Sequence, residues 1–183
     1  MEGGCLYYAY NKIITKNECE FLINDCLQAP VIQAVTSKSP EPIEAVRKTD
    51  VRWVRNLSFI QYGLVGLLDD ANQRLFRYII TAHESVQFAS YSDGGHYTWH
   101  TDVTRGTEAK ESRKLSTVIL LSDPNDFEGG HFEMFGGEEG YLRPLEEQGS
   151  VIVMDCFDWH RVTPVTKGVR HSLVMWSHGP NLQ

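Results

Sequence analysis

The sequence contains no run of eighteen apolar residues, so it offers no candidate membrane-spanning helix. Its opening residues, MEGGCLYYAY, carry neither a basic start nor an apolar stretch, which predicts no secretory leader and a soluble, cytoplasmic protein. Internal repeats and low-complexity tracts are missing. So is any Cys-x-x-Cys pair: Cys5, Cys19, Cys26 and Cys156 have no zinc-site spacing. Cys19 and Cys26 fall on one face of a helical pattern and read as core thiols of a reducing compartment. Basic excess is also lacking. Lys and Arg number 17 against 24 Asp and Glu, a net charge of −7, which demotes nucleic acid as a partner. Neither nucleic acid nor a membrane is expected to bind.

What is present suits one domain over residues 1–183, long enough to bury roughly 68–75% of its unfolded surface without a disulfide or metal staple. Residues 6–14 read as a strand. Thr15-Lys16-Asn17-Glu18 is a capping box that opens a helix through Cys19, Leu22, Ile23, Cys26 and Leu27, and Pro30 follows its end. Residues 36–50 read as an exposed loop, 51–54 as a strand and 62–83 as one long amphipathic helix with Leu64, Leu68, Leu75, Tyr78 and Ile79 on its apolar face. The remainder is β in character. Strands are expected at 85–91, 96–102, 115–121, 131–135 and 151–154. A closing hairpin is expected from 161–165 and 169–176, turning at 166–168. Residues 104–113 are charged and, with 36–50, read as lids. Helical support over 15–83 before a β core over 84–178 predicts an α+β fold with the strand count of a jelly roll.

Chemistry concentrates in the β half. His100 and Asp102 stand at i and i+2, so on a strand they share one face. Alone, the pair reads as a hydrogen-bonded couple on the surface. His160 lies 58 residues further on, and two histidines with one carboxylate make the facial triad of non-haem Fe(II) oxygenases, which leaves open positions for cosubstrate and dioxygen. Zinc would favour four-coordinate closure instead. Arg170 follows ten residues after His160. It shares a strand face with Ser172, Val174 and Trp176. An inward Arg on an apolar strand either pairs with an acidic side chain or grips a ligand carboxylate with help from the Ser172 hydroxyl.

These residues lie in a longer pattern: Tyr91-Ser92-Asp93-Gly94-Gly95-His96-Tyr97-Thr98-Trp99-His100-Thr101-Asp102, Arg113-Lys114-Leu115-Ser116, Leu121-Ser122-Asp123-Pro124, Gly129-Gly130, and His160 through Arg170. The pattern resembles the Fe(II)/2-oxoglutarate-dependent oxygenases of the prolyl 4-hydroxylase group, including small microbial and phage-type members. It covers roughly residues 50–178. The resemblance implies a double-stranded β-helix, iron held by His100, Asp102 and His160, and 2-oxoglutarate with its 5-carboxylate on Arg170. It implies that Tyr91 reaches the same carboxylate and that Val162 and Trp176 wall the cosubstrate pocket. Dioxygen is the second cosubstrate, and ascorbate is implied as a reductant.

The implied activity is 4-hydroxylation of peptidyl proline, with 2-oxoglutarate decarboxylated to succinate and CO2. The implied partner is a proline-containing protein or peptide. A free amino acid or small metabolite is the alternative substrate, and a non-catalytic jelly-roll binding module is the alternative of another class. Three positions depart from the pattern: His131 follows the glycine pair where Glu is frequent, Trp159 precedes the distal histidine, and Leu120 replaces a cosubstrate-pocket tyrosine of some animal relatives. Arg113 and Trp159 are candidate substrate contacts. His83, His96, His171 and His178 have no matched role.

Overall fold

A computed structural model describes residues 5–33, 43–54, 58–103, 110–137 and 140–181. Strand β1 (Tyr7–Tyr10) leads into helix α1 (Lys16–Cys26). Then come β2 (Ile32–Gln33), α2 (Ile43–Val46), β3 (Arg47–Lys48), β4 (Asp50–Val54) and α3 (Ser58–Ala71). The strands that follow are β5 (Ala82–His83), β6 (Val86–Ser92), β7 (His96–His100), β8 (Glu111–Leu120), β9 (Phe127–Gly129), β10 (Phe132–Phe135), β11 (Tyr141–Leu142), β12 (Val151–Asp155), β13 (His160–Val162) and β14 (Val165–Pro180).

The strands form two antiparallel sheets. The larger runs β1-β12-β8-β14-β6-β4-β2, with β5 and β9 also paired to β14, and the smaller runs β11-β10-β13-β7-β3. Two apolar layers result. Leu115, Ile119, Leu173 and Met175 point outward from the larger sheet onto Leu22 and Cys26 of α1 and Leu64 and Leu68 of α3. Val118, Leu120, Ala89 and Tyr91 point inward and meet Phe132, Met134 and Val162 of the smaller sheet. Period-two alternation along β8 thus serves both cores. This is the expected α+β double-stranded β-helix.

Local chemistry explains two of the helix ends. In α1 the Thr15 hydroxyl accepts from the Glu18 N–H, and the Glu18 carboxylate accepts the Thr15 N–H at 2.8 Å, as the capping box predicts. The long helix expected over 62–83 stops early. After α3 the chain makes one π turn over Asn72–Phe76 and leaves through Arg77, which has a left-handed φ of 61°. Asn72 ends it: its side chain donates to the Tyr78 carbonyl at 2.9 Å and accepts the Tyr78 N–H at 2.8 Å. Ile79 is therefore exposed rather than on an apolar helix face.

Other expectations need correction. Residues 43–50 are not an exposed loop, because α2 and β3 lie there and β3 pairs with β7. Residues 36–42 and 104–109 lie outside the described residues, and 111–113 belong to β8. No closing hairpin forms: β13 pairs with β10 and β7, while β14 pairs with β8 and β6 in the other sheet. Thr166, Lys167 and Gly168 continue β14 against β9. The chain crosses between sheets here, which is how a jelly roll closes. Gly129 permits the crossing, since its φ is +74° and a Cβ there would overlap the Pro164 carbonyl oxygen.

Candidate active site

Strand β7 ends at His100, and Asp102 lies two residues beyond it. Their closeness therefore does not come from strand alternation, as the i, i+2 spacing suggested. Asp102 is placed by a backbone bond from its N–H to the Cys156 carbonyl at 3.0 Å, and Cys156 in turn donates to the Lys114 carbonyl at 2.9 Å. His160 opens β13 directly across from His100. The Nε2 atoms of His100 and His160 lie 3.7 and 3.5 Å from the Asp102 carboxylate oxygens. One ligand atom from each of the three residues falls within 4.8 Å of the others.

Both rings are held in one tautomer. Nδ1 of His100 donates to the Thr98 carbonyl at 2.8 Å, and Nδ1 of His160 donates to the Asp158 carbonyl at 3.0 Å, so each Nε2 lone pair is free to face the carboxylate. Burial, followed by the neighbouring His160, pushes His100 well below the usual histidine range. Burial alone would raise the Asp102 carboxyl, but His160 and His100 outweigh it and hold it below the usual carboxylate range. Neutral imidazole and ionised carboxylate are the forms a divalent metal takes. The donor set, two imidazole nitrogens and one carboxylate, fits ferrous iron.

The inner face of β14 carries the second half of the site. Arg170 is 1% exposed, and its Nη1 donates to the Ser172 hydroxyl at 3.1 Å. Its Nη2 is buried without a hydrogen-bond partner. The guanidinium lies over the Tyr91 ring, 5.6 Å from its centroid, because Tyr91 and Arg170 are register partners on β6 and β14. Burial lowers the Arg170 pKa, and among the described residues no carboxylate pairs with it. An unpaired buried guanidinium is costly, so a donor aimed into an inner core fits an anionic ligand. Val162 and Trp176 are both buried beside this core.

Some sequence candidates lie elsewhere. Arg113 is not free to meet a substrate: Glu84 holds it through two bonds of 2.5 and 2.6 Å, and it caps the Trp176 ring at 3.9 Å. Its inward aim comes from a bulge, since Leu115 pairs with Ser177 and Arg113 with His178, leaving Lys114 extra. Trp159 and His131 are exposed, and Leu120 is buried opposite Ser172. His83, His96, His171 and His178 bond to Ser177, to Gly94 and Ala45, to Ser90, and to Glu84 respectively.

Sequence reasoning missed Tyr97 and Arg47. Tyr97 stacks on His100 with centroids 3.4 Å apart, and the Arg47 guanidinium covers the Tyr97 ring at 4.6 Å. Three residues apart on a regular strand, Tyr97 and His100 would face opposite ways. A bulge in β7 against β13 puts them on one side, and no local sequence signal marks it.

Comparisons with known proteins agree with this geometry. The family model of the 2OG-Fe(II) oxygenase superfamily matches residues 86–178. A PKHD-type hydroxylase of Delftia acidovorans is 33% identical over 99 residues, which cover 50% of this chain and 42% of that relative. One from Rippkaea orientalis is 28% identical over 176 residues, 91% of this chain and 75% of that relative. The chain thus aligns with less than half the length of the Delftia relative. A prolyl-4-hydroxylase of Pseudomonas putida superposes with a TM-score of 0.75 at 20% identity, covering 97% of this chain and 94% of that one. A prolyl hydroxylase of Trichoplax adhaerens, solved with a hypoxia inducible factor peptide fragment, gives 0.76 at 15% identity over 93% and 82%. At these identities the superpositions show a shared fold. With the match spanning the strands that carry His100, His160 and Arg170, the chain belongs to the 2OG-Fe(II) oxygenase superfamily.

Proposed function

We propose that the protein is a prolyl 4-hydroxylase acting on peptidyl proline. In this reading His100, Asp102 and His160 hold Fe(II), and Arg170 with Ser172 receives the 5-carboxylate of 2-oxoglutarate. One observation carries the oxygenase part: a two-histidine, one-carboxylate cluster shares the inner side of the barrel with a buried guanidinium whose Nη2 has no protein partner. Bound iron, with 2-oxoglutarate and dioxygen, supplies the oxidising power, so that one oxygen atom enters a substrate C–H bond and the other leaves in succinate alongside CO2.

The chain's own residues do the rest. The Thr98 and Asp158 carbonyls keep each imidazole oriented with Nε2 inward. Arg170 binds and aligns the cosubstrate by a charge-assisted fork. Phe132, Met134, Val162 and Trp176 exclude water from the inner core, which strengthens every polar contact there. Support for proline comes from the fold shared with prolyl hydroxylases, one of them solved with a peptide. Proline also suits a reaction that needs one C–H bond held still, since its ring loses little freedom on binding.

The test is a screen of proline-containing peptides, folded proteins and free amino acids, with 2-oxoglutarate and Fe(II), following succinate and the gain of one oxygen atom by mass. Hydroxylated peptidyl proline is expected. Robust turnover with a free metabolite and none across the peptides and proteins would overturn the proline assignment and leave the oxygenase chemistry standing.

A further inference from the structure

Asp102 lies beyond the end of β7, outside the strand ladder that fixes the two histidines. A carboxylate there can rotate about two side-chain bonds unless something holds it. Two contacts reach it from a rigid part of the fold, and a third links the two residues that make them. The Ser116 hydroxyl donates to Asp102 Oδ2 at 2.6 Å. The Cys156 thiol sulfur lies 3.2 Å from the Ser116 oxygen. The Cys156 carbonyl receives the Asp102 N–H at 3.0 Å. Ser116 and Cys156 are both 0% exposed, and β8 lies between β12 and β14, paired to both.

We infer that Ser116 is a positioning residue for Asp102, and that Cys156 sets the direction of the Ser116 hydroxyl. An ionised carboxylate only accepts hydrogen bonds, so the single Ser116 proton points to Asp102. The Ser116 oxygen is then left as an acceptor, and the Cys156 S–H donates to it. The relay runs Cys156 S–H to Ser116 O–H to Asp102. It occupies one lone pair of Oδ2 and leaves the carboxylate's other lone pairs for a metal. Ser116 touches neither metal nor substrate and acts through Asp102. Nothing in the packing requires a hydroxyl here, because its register neighbours Met154 and Trp176 present largely apolar surface.

This inference rests on the proposed metal role of His100, Asp102 and His160, and the experiment separates the two. Metal-free protein is titrated with Co(II) without cosubstrate, followed by calorimetry and by the visible absorption of bound cobalt. Failure of the wild-type protein to bind Co(II) would overturn the metal site itself. With wild-type binding established, Ser116→Ala is expected to weaken it by about 10–100-fold, as loss of a ligand-orienting bond does. Ser116→Thr and Ser116→Val have the same shape and differ in the hydroxyl. Threonine is expected to bind at least about tenfold more tightly than valine and to restore the wild-type cobalt spectrum. Equal affinity of those two variants, or Ser116→Ala indistinguishable from wild type, would overturn the role of Ser116. Cys156→Ala is expected to fall between wild type and Ser116→Ala, and binding identical to wild type would remove Cys156 from the relay.

Discussion

Arg170 donates to Ser172 through Nη1 and keeps Nη2 buried with no protein partner, so half of its planar fork is satisfied within the chain and half is not. Removing the fork should abolish the anchor for a dicarboxylate. Arg170→Ala is expected to lose about 2–5 kcal/mol of 2-oxoglutarate binding, read by calorimetry. Arg170→Lys should be impaired as well, since an ammonium cannot make the two-point contact. Ligand-free Arg170→Met should melt higher than the wild type, because an uncompensated buried charge is gone. Unchanged 2-oxoglutarate affinity in Arg170→Ala would place the anchor elsewhere.

His160 faces His100 across β13 and β7 and is 4% exposed. His160→Ala should stop succinate formation. The two apolar layers on either side of the larger sheet do not depend on the imidazole, so its far-ultraviolet circular dichroism should match the wild type. Undiminished succinate formation would exclude His160 from the site.

Gly130 lies against the anchor. A Cβ there would sit 2.8 Å from Val165 Cγ2 and 3.1 Å from Arg170 Cδ, at a φ of +59°. Overpacking of this kind costs about 1–3 kcal/mol. Gly130→Ala should therefore lower both melting temperature and 2-oxoglutarate affinity. Gly63→Ala in α3 meets nothing within 4 Å and should raise the melting temperature with the affinity unchanged. Equal 2-oxoglutarate affinity in the two variants would show that Arg170 tolerates the intrusion.

His171 bonds to Ser90 and stacks on Phe88. Burial, then Arg52 and Arg170, pulls its pKa from 6.5 down to about 4. The unfolded chain therefore takes up this proton first as pH falls. The stability it contributes is complete above about pH 6.5 and is lost progressively toward pH 4. Melting temperatures measured from pH 7 to pH 4.5 should fall more steeply for the wild type than for His171→Asn. Parallel curves would mean that the ring titrates alike in both states.

Much of the fold, and the residues of the candidate site, are legible from residues close in sequence, and the reason is local chemistry. The capping box at Thr15 and Glu18 satisfies its own backbone groups within four residues, so it reads correctly without any partner. The apolar, β-rich run over 115–121 marks a strand with two buried faces whatever lies beyond it. His100, Asp102, His160 and Arg170 were singled out because few residue types ligate iron or pair with a carboxylate, and their spacing is unusual. What tertiary structure alone decided involves contacts between distant segments. The end of α3 depends on Asn72 capturing Tyr78 in competition with an apolar pattern that continued past it. β13 and the body of β14 look like the two arms of a hairpin in sequence yet belong to different sheets, since strand pairing follows the packing of two layers rather than proximity along the chain. The bulges that turn Arg113 to Trp176 and stack Tyr97 on His100 arise from register mismatches between paired strands. Asp102 reaches its histidines through a backbone bond to Cys156, 54 residues away, and a hydroxyl on a third strand, an arrangement no periodicity along one segment can encode.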